Sequence, residues 1–197
     1  MARSEKTLLL AGVLTLPLYF ALLFTAGAFY PGFSHVKQVA SELGATGAPY
    51  DGALAFNIGL VVVGCVGISG AVGLFQGLRK LGAGFTVTLL TSTAMALPLA
   101  TLVMSGLFPL PSPWHTNAYM ALAGNLAPAL GALAIRKTPN TAVVKVLLLV
   151  GFGLSVAAFF GVGDLSVADN AGLRWRLWAA ALMTSDASLC WVVRARV

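Results

Sequence analysis

The chain has 197 residues, 58% hydrophobic and 9% charged, with a mean hydropathy of +0.90 and a formal charge of +6. Soluble domains carry about 25% charged residues, so this composition cannot cover a water-facing surface and belongs in a bilayer. The basic residues stand in ones and twos at the ends of apolar runs. That is the positive-inside pattern rather than a phosphate-binding face, and no nucleic-acid partner is expected.

A helix needs about 20 apolar residues to cross the hydrocarbon core. The length therefore allows six spans with short loops and no second domain. The first apolar run, Leu8 to Phe29, exceeds the roughly 7 to 15 apolar residues of a signal peptide and is followed by more spans. It is expected to be a transmembrane helix, with Pro17 as a kink. Further spans are predicted at about 53–77, at 84–107 around Pro98, at 117–135, at 142–163 and at 177–193. The expected architecture is one all-α domain over residues 1–197, a polytopic six-transmembrane-helix bundle. Arg3, Lys6, Arg79, Lys80, Arg136, Lys137, Lys145, Arg194 and Arg196 fall on one side, and Lys37, Arg174 and Arg176 on the other. The imbalance predicts both termini in the cytoplasm of a prokaryotic inner or plasma membrane. Three loops then share the outer face: Tyr30–Asp51, the Pro-rich connection at 108–115, and Asp164–Arg176.

Small residues recur every fourth position at Ser69, Gly73 and Gly77, and again at Gly153, Ala157 and Gly161. Such stripes let membrane helices approach closely. They predict packing within one bundle, with a homo-oligomer seam as the alternative. Cys65 and Cys190 fall inside spans and read as small apolar residues.

The candidate chemistry lies on the outer face. In the first loop, Ser34 is placed to cap a short helix ending at Gly44. On such a helix His35, Gln38 and Glu42 share one flank, and Val36, Val39, Ala40 and Leu43 form an apolar side. A histidine beside a carboxylate is a usable acid–base pair; the competing reading is a solvated loop. His115, Thr116 and Asn117 are expected to start the fourth helix, beside an interfacial Trp114. Arg174, Trp175 and Arg176 suit either an anionic group or anchoring together with Trp178. No HExxH or CxxC spacing is present, so no metal is expected, and the cofactor stays open. Inside the membrane, Asp186 stands alone in the sixth span with Lys145 as the expected partner, in an ion pair or a proton relay. Thr86, Thr88, Thr91, Ser92 and Thr93, with Asn57 and Asn125, could line a polar cavity; the alternative is hydrogen bonding to their own backbone.

Pro31, Gly32 and His35 followed by Ser41-Glu42-Leu43-Gly44 resemble domain-of-unknown-function family 998. Gly106-Leu107-Phe108-Pro109 with His115 after it, and Gly172-Leu173-Arg174-Trp175-Arg176 entering the last span, are similar to that family's pattern. The resemblance covers nearly the whole chain and implies a six-span bacterial or archaeal membrane protein. Leu110 stands where the family has an aspartate, which weighs against a metal or acid role for that loop. It implies no reaction.

The sequence reading is an outer-face polar pocket that binds a lipid or small amphiphile. His35, Glu42 and His115 would act as catalytic groups if the protein is an enzyme, a lipid hydrolase or transferase. Gln38, Ser41, Asp51, Arg174 and Arg176 would bind the ligand. A proton-coupled carrier using Asp186 is the third class.

Overall fold

A computed structural model describes residues 2–116 and 118–197; the expectation for Asn117 lies outside them. Its long elements are α1 (Ala2–Phe29), α2 (Ala53–Lys80), α3 (Phe85–Leu107), α4 (Ala118–Gly124), α5 (Leu126–Ala134), α6 (Ala142–Phe160) and α7 (Ala171–Arg194), with no strand among the described residues. Four stretches are long and apolar enough to cross a membrane: Ser4–Phe29, Ala53–Lys80, Phe85–Leu107 and Ala142–Phe160. Residues 118–134 form a shorter apolar rod. The last helix has the length, but Arg174, Arg176, Asp186 and Arg194 lower its hydropathy.

The fourth rod is broken where a single span was expected. Pro128 has no N–H to bond the Gly124 carbonyl four residues back, and the chain turns at Asn125. The break has a use: Asn125 Oδ1 accepts a hydrogen bond from Trp178 Nε1 at 3.0 Å, which ties the α4–α5 joint to α7.

The rods form a ring. Each packs on the next, and α7 closes on α1. The α1–α2 crossing is set by glycine, because a Cβ at Gly70 would overlap the backbone of Gly12, and one at Gly73 would overlap Leu8 and Leu9. The working stripe of α2 is therefore Gly70, Gly73 and Gly77. Ser69, expected in that stripe, is half-buried and donates to its own helix at Cys65 O. On α6 the packing face is Gly151, Ser155 and Ala158, with Gly151 against Ser185 of α7. Gly153 from the expected stripe has no atom within 4 Å of a Cβ built on it.

One end of the ring is filled solidly by Leu9, Leu74, Leu78, Met95, Leu148 and Leu189. Lys80, Arg194 and Arg196 gather here. Lys80 pairs with the buried Glu5, Arg194 Nε donates to Lys6 O at 3.0 Å, and Arg196 reaches Pro139 and Asn140 carbonyls. The ring's outer surface stays apolar: Leu14, Leu18, Val62, Leu90, Leu149 and Leu154 are all exposed. Helices that are apolar on every face are stable only where lipid replaces water.

Candidate functional site

At the other end, the loop between α1 and α2 folds down over the ring. Residues 34–44 are not the continuous helix expected. Ser34 Oγ accepts the Lys37 N–H at 3.3 Å and closes one turn. Val39 is extended, and a 3₁₀ helix follows at Ala40–Gly44. Glu42 forces this change of direction, since its Oε1 accepts the Val39 N–H at 3.0 Å and its Oε2 accepts Gln38 Nε2 at 2.9 Å. Leu43 is then fully buried against α1 and α2. Asn57 Nδ2 donates to Gly44 O at 2.9 Å, and Tyr50 OH donates to Leu43 O at 2.6 Å.

The start of α7 clamps the same loop. The N–H groups of Leu173 and Gly172 donate to the carbonyls of Val36 and Lys37, at 2.8 and 3.3 Å. Arg176, buried and stacked over Phe33 at 5.6 Å, donates from Nη1 to Gln38 O at 2.8 Å and from Nε to His35 Nδ1 at 3.2 Å. His35 therefore carries its lone pair on Nδ1, toward a cation. Burial pushes its pKa below the ordinary histidine value, and the Arg176 guanidinium pushes the same way. His35 and Glu42 form no ion pair or hydrogen bond with each other, because Arg176 holds the first and the loop backbone and Gln38 hold the second.

Beneath the loop lies a cavity of about 310 Å³. Val39, Ala40 and Ser41 of the loop form part of its lining, with His115 and Thr116 from the Pro-rich connection. Its sides come from Pro98, Leu99 and Leu102 of α3, Leu60 of α2, Tyr19 of α1 and Trp178 of α7. Asp186 is the α7 residue furthest in, 11 positions and so about 16 Å along the helix from Trp175, which also lines the cavity.

The chamber is mostly apolar, with Ser41, His115 and Thr116 near the loop, Tyr19, Thr101 and Ser105 on its sides, and Asp186 deep in. His115 is 6% exposed and its Nδ1 lies 2.8 Å from Phe108 O. A carbonyl can only accept, so Nδ1 carries the proton and a neutral His115 keeps its lone pair on Nε2. Ser105 Oγ donates to His115 O at 2.9 Å and fixes the residue on the end of α3. In the deep region, Asp186 is 7% exposed and has no hydrogen-bond or ion-pair partner among the described residues.

The expected Asp186–Lys145 ion pair is not formed. The reason is helical phase. Ser185 is the residue that meets α6, at Gly151, and Asp186 is turned about 100° further, onto the face of Ala179, Leu182 and Met183. Lys145 also lies six residues, about 9 Å, from Gly151 toward the start of α6.

The other expected residues lie apart. Asp51 is exposed and borders a second depression with Phe29, Tyr50 and Phe56. The Arg174 guanidinium lies over the Trp175 ring at 5.1 Å, outside the cavity. The polar set expected to line a chamber does not do so: Thr91 Oγ1 donates to Val87 O, Asn57 to Gly44 O, and Asn125 bonds Trp178 and Leu122. Thr86 and Thr93 are exposed on the outer surface. Tyr19, Ser105 and the aromatic wall of Trp175 and Trp178 are the residues that sequence reasoning left out of the chamber. Among the described residues, no three His, Cys, Asp or Glu side chains gather as a metal ion would require.

An all-α ring with four helices apolar and long enough to cross a membrane, and with an apolar outer surface, defines a membrane-type helix bundle. A family model described as "Protein of unknown function (DUF998)" matches residues 13–192, and the chain belongs to that family. No curated protein and no solved structure matches it.

Proposed function

We propose that this protein is a six-span membrane protein whose chamber holds one small amphiphilic molecule under the first outer loop. The observation that carries this reading is the chamber itself, mostly carbon-walled with a few polar side chains, among them His115 and Asp186. Ligand sites are mostly apolar cavities of about 300–1,000 Å³ with a few placed polar groups. A volume of about 310 Å³ is at the small end of that range, which suits a single-chain amphiphile better than a whole two-chain lipid. Ser41, His115 and Thr116 would meet a polar group near the mouth. Gln38, Glu42, His35 and Arg176 hold the loop closed. Asp51 and Arg174 would act, if at all, on a lipid head group outside the chamber.

The α4–α5 rod and α7 are proposed as the remaining two crossings. The basic end, with both termini, faces the cytoplasm of a prokaryotic plasma membrane by the positive-inside rule. A cysteine placed at Lys37 should then react with an impermeant maleimide in intact cells and one placed at Lys80 should not; the reverse pattern contradicts the orientation.

Native mass spectrometry of the purified protein tests the binding reading. The wild type should carry one small adduct, and Ala179→Phe, which fills the chamber from α7, should lose it. An adduct retained in Ala179→Phe, or none in the wild type after mild extraction, rules the chamber out as the binding site.

A further inference from the structure

We infer that the chamber selects an amine: its ligand is a small apolar molecule whose protonated nitrogen pairs with Asp186. This rests on the binding reading above and narrows it to a chemical class. The starting observation is a carboxylate that is 7% exposed, lines a mostly apolar cavity and forms no hydrogen bond or ion pair among the described residues. The ion pairs found, Lys37–Asp169 and Lys80–Glu5, use other carboxylates. Intramembrane carboxylates are costly, and they are paired or used.

The surroundings decide which cation fits. Hard metal ions of the calcium type need six to eight oxygen ligands, and magnesium needs six. Leu182 and Met183, one turn back on the same face of α7 as Asp186, bring carbon and sulfur to the chamber instead, and the Thr101 hydroxyl in the lining is already turned to Pro98 O. An alkylammonium needs only one carboxylate, and the rest of the chamber is left for its hydrocarbon part. Tyr19, Trp175 and Trp178 line the same chamber. At the mouth, the Ser41 and Thr116 hydroxyls are uncharged oxygens that can face an ammonium without repelling it.

The route is balanced without any other reactant. An amine reaches the chamber from the lipid as the free base, and Asp186 meets it as the carboxylic acid. The proton passes from the Asp186 carboxyl oxygen to the amine nitrogen, leaving an ammonium–carboxylate pair. Nothing is oxidised and no proton is exchanged with solvent.

The test is a titration of the protein in nanodiscs with octylamine and, in parallel, 1-octanol, read by tryptophan fluorescence in a Trp114→Phe, Trp191→Phe background that leaves Trp175 and Trp178 as the emitters. The wild type should bind octylamine at least ten-fold more tightly than octanol. Asp186→Asn, which keeps the shape and removes the charge, should lose that ten-fold preference with octanol binding unchanged. Equal affinities for the two probes in the wild type, or an octylamine preference that survives in Asp186→Asn, would overturn the amine inference while leaving the chamber a binding site. Binding of neither probe, or of both equally in Ala179→Phe, sinks the chamber reading as well. Should Asp186→Asn not fold, the amine-over-alcohol ratio of the wild type decides alone.

Discussion

His35 shows at the residue scale how a long-range partner changes what a side chain does. On sequence it belongs with Glu42, seven positions away on one flank of a short helix. In the structure its Nδ1 accepts from Arg176, 141 residues distant. No local periodicity carries that contact; only the ring closure of α7 onto α1 creates it. The consequence is measurable as a pH effect. In the unfolded chain His35 titrates near its ordinary value, about 6.5, and in the folded chain its pKa is lower, from burial and then Arg176. The unfolded chain therefore binds this proton more readily, and stability is lost as pH falls below about 6.5 through the folded value. Above about 6.5 the contribution is complete. Thermal melting between pH 7.5 and pH 5 should show a shallower loss for His35→Gln than for the wild type. Parallel curves would mean that folding does not lower the His35 pKa. Asp186 teaches a related lesson: its place in the last helix was legible, the face it presents was not. One helical step of about 100° separates the α6-facing Ser185 from the chamber-facing Asp186, and a sequence does not say which face meets which helix.

The long helices were legible as elements because their signal is local. Each apolar run is bounded by turn residues or basic pairs, and α2 and α3 start within one residue of the predicted positions. The short elements were not. Ser34 to Gly44 has helical spacing, yet Glu42 spends its carboxylate on the Val39 N–H and Gln38, which stops a continuous helix. The break at Asn125 did have a signal, Pro128, whose missing N–H leaves the Gly124 carbonyl without its helical donor. The glycines divide in the same way. A methyl at Gly70 meets the Gly12 backbone, whereas one at Gly153 meets nothing within 4 Å. Gly70→Ala should destabilise the bundle by about 1–3 kcal/mol through overpacking. Gly153→Ala should stabilise it by up to about 1 kcal/mol through helix propensity. Unfolding in mixed micelles checks both, and equal effects would mean that α1 and α2 do not cross where described.

At the scale of the whole molecule, the ring makes two ends with different physics. The basic end is packed with leucine and closed by contacts between the termini and turns. The opposite end holds its space open, because the loop from Ser34 to Gly44 is hung on α7 and α2 rather than packed into the centre. Composition revealed the bilayer, and the polar loop pointed to the working end. The chamber itself could not be read from sequence, since it is formed by residues of α1, α2, α3, α4 and α7 that share no spacing. Its lining also explains why polar residues singled out along α3 are not part of it: those hydroxyls lie deeper in the helix or face outward, and Pro98, Leu99 and Leu102 present carbon to the space.

The most direct measurement is an experimental high-resolution structure of the protein extracted with its native lipids and given no added ligand. The account predicts elongated density along α7 between His115 and Asp186, under a closed 34–44 loop. A chamber collapsed onto its own side chains, or density lying only outside the ring, would contradict it.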